Sequence, residues 1–115
     1  MTVEAFVYPP VNDKLLDTVV ARLTTVGHPL RIILFGSHAR GDARPNSDLD
    51  LLIVEETPLP RHKRGRTYRQ VLIDVHPSKD LVVWTPDEIA AWANVPNAFI
   101  TTVLREGRIL YERPV

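Results

Sequence analysis

The chain has 115 residues, 14 of them basic and 14 acidic, and no cysteine. That length suits one hydrophobic core and is short for two, and the balanced charge gives no global field toward nucleic acid or a membrane surface. The lack of cysteine excludes disulfides and thiolate metal sites and suits a reducing cytoplasm.

Residues 1–10 read as a short extended arm ending at Pro9-Pro10. Asn12 or Asp13 then caps a helix whose apolar positions, Leu15, Leu16, Val19, Val20, Leu23 and Val26, form one stripe. Gly27 and Pro29 stop it. An apolar strand follows, Ile32 to Phe35, ending at Gly36-Ser37. Gly36 has no Cβ and lets a backbone approach a ligand closely. Ser37 offers a hydroxyl, and as the expected N-cap of a helical turn through Arg40 it leaves N–H groups free for an anion. Arg44-Pro45-Asn46-Ser47 makes a turn before a second strand, which opens Asp48-Leu49-Asp50 and runs apolar through Val54.

Glu55-Glu56 closes that strand, and Thr57-Pro58-Leu59-Pro60 breaks the chain. Arg61 to His76 is predicted as a helix on the spacing of Tyr68, Val71, Leu72 and Val75, with Val71–Val75 as a short strand the alternative. Lys79 to Trp84 is a third strand that again begins with a carboxylate, Asp80. Thr85-Pro86-Asp87-Glu88 starts a helix that runs through Trp92. Asn97 is expected to cap another that buries Phe99, Ile100, Val103 and Leu104, and Arg108 to Glu112 is a last, edge strand. No apolar run has the length of a membrane span, and Met1-Thr2-Val3-Glu4 lacks the build of a signal peptide.

The chemistry concentrates around the second strand. Alternation along a strand places Asp48 and Asp50 on one face, roughly 6–7 Å apart at the backbone. Two carboxylates so close repel, and a hard, oxygen-preferring cation such as Mg²⁺ satisfies both. Gly36 to Gly41 matches the first six positions of a P-loop, but Asp42-Ala43 stands where Lys and Ser or Thr are required, so that reading is excluded. A third carboxylate is expected at Asp80, which precedes an apolar run as Asp48 does; Asp74, its competitor, reads as a solvated helix position. Arg40 is assigned either to phosphate or to an ion pair with Asp42 or another acid. The basic run Arg61 to Arg69 is a solvated face or a contact for triphosphate, acceptor or partner. His62 and His76 lack ligand spacing to other histidines.

Gly36-Ser37, ten intervening residues and Asp48-x-Asp50 together resemble the signature of the polymerase-beta-like nucleotidyltransferases. Ser37-His38-Ala39-Arg40-Gly41, Ser47-Asp48-Leu49-Asp50-Leu51-Leu52 and the ending Arg105 to Glu112 are similar to the smallest members, the minimal nucleotidyltransferases. The resemblance implies an α/β (α+β) fold: one domain over residues 1–115, with a mixed sheet of about four strands flanked by helices. It implies transfer of a nucleoside monophosphate, AMP from ATP, to a hydroxyl. Asp48, Asp50 and Asp80 would ligate two Mg²⁺ ions, and Gly36, Ser37 and Arg40 would serve the triphosphate. Asp80 lies where the family's third carboxylate is expected. Many such proteins are antitoxins beside a HEPN-type toxin, so a tyrosine of such a toxin is the implied acceptor. His38 departs from the arginine that the family commonly carries. The alternative function is a stoichiometric antitoxin that binds without catalysis. Neither a membrane nor nucleic acid is an expected partner.

Overall fold

A computed structural model describes residues 10–114; the arm expected at residues 1–10 lies, but for Pro10, outside them. Helix α1 (Asp13–Val26) starts at Asn12, whose side chain accepts the Leu15 amide at 3.0 Å. Its inner stripe is Leu16, Val19 and Leu23, while Val26 is 38% exposed. Gly27 ends the helix in extended conformation, and its reason for being glycine is proximity. A Cβ there would lie 2.1 Å from the Tyr68 hydroxyl.

Strand β1 (Arg31–Phe35), the short helix α2 (Ser37–Arg40) and strand β2 (Leu49–Val54) form the centre of the fold. A 3-10 turn (Arg61–Lys63) and helix α3 (Arg66–Val71) lead to strand β3 (Lys79–Trp84). Helices α4 (Pro86–Trp92) and α5 (Phe99–Glu106) precede the last strand, β4 (Arg108–Glu112). The sheet order is β3-β2-β1-β4. β1 pairs antiparallel with both β2 and β4, and β2 pairs parallel with β3. The expected four-stranded mixed sheet flanked by helices is thus observed.

Strand alternation divides the apolar residues between two faces. Leu49, Leu51 and Ile53 of β2 join Ile32 and Leu34 under α1 and α3, with Leu16, Val19, Leu23, Tyr68 and Leu72. Leu52 and Val54 join Ile33 and Trp84 on the other face, beneath Ile89 of α4 and Ile100 and Val103 of α5. At about 25 cal/mol per Å² of apolar surface, these two layers are the main source of stability.

Three local expectations are corrected. The helix expected over Arg61–His76 is divided: Gly65, at φ +85°, separates the 3-10 turn from α3, which ends at Leu72. Val71–Val75 is not a strand either. The stripe itself is sound, because Tyr68, Leu72 and Val75 are buried. Ala98, not Asn97, is the N-cap of α5, and Asn97 sits in left-handed conformation at φ +60°, which asparagine tolerates better than most residues. Of the four α5 side chains expected to be buried, Ile100 and Val103 are, whereas Phe99 and Leu104 are 45% and 40% exposed. The capping box of Thr85 and Glu88, with Pro86 in the first turn, is present as expected.

The basic run belongs largely to this framework. Arg64 is buried, donating to the carbonyls of Leu59 (2.7 Å) and Val83 (3.3 Å) and to Glu88 Oε1 (2.6 Å). Arg61 pairs with Glu88 Oε2 at 3.1 Å and lies 3.9 Å from the centre of the Trp84 ring. Arg69 donates to the carbonyls of Arg64 (2.8 Å) and Leu81 (2.9 Å). These bonds fasten the segment between β2 and α3 to the outer side of β3.

Candidate active site

The register of three strands assembles the site. Phe35 of β1 stands opposite Asp50 of β2, and Asp50 stands beside Asp80 of β3. Asp48 lies just before β2, two residues from Asp50, and so shares its side of the chain. All three carboxylates sit at the end of the sheet where β1 runs into Gly36. Asp48 and Asp80 are exposed; Asp50 is half-buried.

Gly36 is fitted to Asp50. Its φ of +73° and ψ of −156° disfavour any residue with a side chain. A Cβ on Gly36 would lie 2.0 Å from Asp50 Oδ2. The Asp50 carboxylate thus occupies the space that every other residue at position 36 would fill. Gly36, not Ser37, is the N-cap of α2; its carbonyl accepts the amides of Ala39 (3.1 Å) and Arg40 (3.0 Å). The Ser37 hydroxyl is therefore not engaged in capping α2, the role expected of it.

Electrostatics single out Asp50. Its pKa is raised, first by burial and then by repulsion from Asp80 and Asp48, while His38 and Arg40 pull it back. The proton affinity of a carboxylate compressed between two others signals a place where positive charge is wanted. The donor set is all oxygen and all carboxylate, which suits Mg²⁺ and is poorly suited to softer metals. The present rotamers do not draw the three groups to a common point: among the described residues, no three His, Cys, Asp or Glu side chains form a cluster able to hold a metal.

Asp74 is settled elsewhere. It bonds Arg22 at 2.6 Å, which holds its carboxyl below the usual range, and Asp80 is the one in register with Asp50. Arg40 makes the ion pair to Asp42 (Nε–Oδ2 3.3 Å) and also approaches Glu106 of α5 at 3.8 Å. Two features went unforeseen. His38 Nε2 lies 2.8 Å from the Ser47 carbonyl, tying α2 to the residue before Asp48. Phe99, at the start of α5, meets Phe35 edge to face with centroids 5.4 Å apart. The histidine had drawn notice only as a departure from arginine, and no spacing rule links it to Ser47.

Comparison with known proteins agrees with this geometry. The family model of the nucleotidyltransferase domain matches residues 13–111. No curated protein sequence matches the chain. Among solved structures, a candidate nucleotidyltransferase from Sulfolobus solfataricus is 21% identical, with 88% of this chain and 80% of that one covered and a TM-score of 0.62. A chain of a toxin-antitoxin structure with AMP-PNP is 18% identical, covering 90% of this chain and 75% of that one, at TM-score 0.58. A third is from a complex of a tri-AMPylated Shewanella oneidensis HEPN toxin with its MNT antitoxin: 16% identity, 89% and 74% coverage, TM-score 0.56. At such identities the likeness is one of fold. Since the family model covers most of the chain, from α1 into β4 and across all three carboxylates, the chain belongs to the nucleotidyltransferase domain family.

Proposed function

We propose that this chain, acting as one domain over residues 1–115, transfers AMP from ATP to a hydroxyl acceptor, a tyrosine of a HEPN-type toxin, and thereby serves as the antitoxin of a toxin-antitoxin pair. The observation that carries the reading is the fit of Gly36 around Asp50, with Asp48 and Asp80 beside it. A protein that only bound its partner would gain nothing from holding three repelling carboxylates at one strand end. The similar folds of a toxin-antitoxin structure with AMP-PNP and of an antitoxin complexed with an AMPylated toxin support the choice of nucleotide and acceptor.

In this reading Asp48, Asp50 and Asp80 would hold Mg²⁺, two ions being usual for the chemistry, whose charge would neutralise the triphosphate. The Gly36 backbone and the Ser37 hydroxyl bind the β- and γ-phosphates. Arg40 joins them by exchanging its exposed pairs with Asp42 and Glu106. The acceptor oxygen attacks the α-phosphorus in line, forming an O–P bond as the bond to the α,β-bridging oxygen breaks. Pyrophosphate departs with that electron pair. Asp80, exposed next to Asp50, receives the acceptor's proton.

The test mixes an excess of toxin with substoichiometric wild type or Asp80→Asn, in the presence of ATP and Mg²⁺. Wild type is expected to silence the excess and leave added AMP mass on the toxin. Asp80→Asn is expected to bind the toxin and silence none of it. Protection proportional to the amount added, and untouched by the substitution, would establish the stoichiometric binder instead.

A further inference from the structure

The carboxylate site uses one end of the sheet; the outer side of β3 carries a groove that it does not use. A cleft of about 730 Å³ is lined by Leu59, His62, Lys63, Arg64, Arg66, Arg69 and Gln70. A second, of about 310 Å³, shares Arg69 and Gln70 with it and continues past Leu72, Ile73 and Leu81 to Ser78 and Lys79. The clefts meet at Arg69 and Gln70 on the α3 side of β3, and the second reaches Ser78 and Lys79 at the end of the strand where Asp80 faces the other side of the sheet.

The charge of the groove is one-sided. Arg61, Arg64 and Arg69 are committed to Glu88, to the Trp84 ring and to backbone carbonyls. Among the described residues, the exposed side chains of His62, Lys63 and Arg66 take part in no hydrogen bond or ion pair. No acidic residue lines either cleft. Lys63 and Arg66 therefore keep an uncompensated field at one end, with His62 between Arg61 and Lys63 in sequence beside them. The other end is mainly apolar, with Ile73 80% exposed, and its Lys79 ammonium donates to the Val75 carbonyl. Among the residues that line the groove only His62 carries a ring, too little to stack a run of unpaired bases.

We propose that this groove is the docking track for the polypeptide that carries the acceptor hydroxyl, taking an extended acidic segment. Its carboxylates meet His62, Lys63 and Arg66, an aliphatic side chain sits against Leu72, Ile73 and Leu81, and the segment then rounds the Ser78–Lys79 end of β3 to bring the hydroxyl to the carboxylates on the other face. Arginine suits such a role because its planar fork pairs with carboxylates in two-point fashion. The proposal rests on transfer to a protein acceptor and adds to it the acceptor's charge and the direction of its approach.

The probe is a short fluorescent peptide of repeating Glu-Glu-Leu, titrated with the intact chain by anisotropy, with oligouridylate of equal charge as its counterpart. Saturable peptide binding is expected, weakening by about tenfold between low salt and about 0.5 M salt as the charges are screened. The double variant Lys63→Glu/Arg66→Glu should lose at least about tenfold in peptide affinity, because rim charges become repulsive. Lys63→Arg/Arg66→Lys should retain it, and both variants should bind ATP and melt as wild type does. Absent peptide binding, or binding indifferent to charge reversal, overturns the proposal. So does tighter binding of oligouridylate through the same residues, which makes the groove a nucleic-acid track. Peptide binding needs no transfer, so a chain that docks the peptide but modifies no protein keeps the groove and loses the reading on which the acceptor's identity rests.

Discussion

At the scale of single residues, the site depends on an absence: the missing Cβ of Gly36. Gly36→Ala meets the Asp50 carboxylate and also places a side chain at φ +73°. Strain of this kind costs about 1–3 kcal/mol. We expect Gly36→Ala to lower the melting temperature and to reduce transfer by at least about a hundredfold, since Asp50 must leave its position. Asp50→Asn should separate the two effects. Burial and the charges of Asp80 and Asp48 oppose the ionised form of Asp50. The variant is therefore expected to lose transfer with an unchanged or higher melting temperature, read by thermal unfolding beside a labelled-ATP assay. A large fall in melting temperature would mark Asp50 as structural. The carboxylates were legible in the sequence because strand alternation alone puts Asp48 and Asp50 together, and an apolar run behind Asp80 marks a strand start. The His38–Ser47 contact was not legible: an imidazole reaching a carbonyl nine residues away depends on how the Asp42–Ser47 loop turns.

At the scale of elements, the joint between the 3-10 turn, β3 and α4 is held by Glu88. It caps α4 by accepting the Thr85 amide and receives Arg64 and Arg61 from the basic segment. Burial alone would raise its carboxyl, but the hydrogen bonds from Thr85, Arg64 and Arg61 outweigh that and hold it at about 2, against an ordinary 4.5. A depressed carboxylate stabilises the fold fully above its unfolded value, and the contribution is lost as pH falls through the folded one. Glu88→Gln is thus expected to cost about 1–3 kcal/mol at neutral pH, discounted for a side chain partly open to solvent. Its deficit relative to wild type should shrink between pH 4.5 and about 2, the two ends of that shift. Denaturant melts across that window check it. The capping box was readable because Thr, Pro and Glu act through neighbours in sequence. The arginines were not, since their acceptors, the Glu88 carboxylate and the Val83 carbonyl, lie 19 to 27 residues away. The left-handed backbone of Gly65 is where the expected helix divides.

At the scale of the whole molecule, one sheet separates two cores, and the carboxylates occupy the face that Leu52, Trp84 and α5 cover. Leu23 lies on the opposite face and is fully buried. Leu23→Ala and Ile100→Ala should each destabilise by about 2–5 kcal/mol. At a temperature where both remain folded, Leu23→Ala is expected to keep wild-type transfer. Ile100→Ala should slow it, because Ile100 adjoins Phe99, whose ring supports Phe35 at the entrance to Gly36. Equal rates for the two would show that the α5 face does not position the site. The sheet also has two outer strands, and β3 bears on how the protein behaves at high concentration. An unpaired strand edge invites another chain to add to the ladder, the first step toward fibrillar aggregates. Along β3, the outward carbonyls of Leu81 and Val83 are already taken by Arg69 and Arg64. A newcomer would have to displace two charged donors, one of them, Arg64, buried and paired with Glu88. The same arginines that fasten a loop thus act as gatekeepers against self-association, and substituting them with apolar residues should leave a chain that folds yet precipitates.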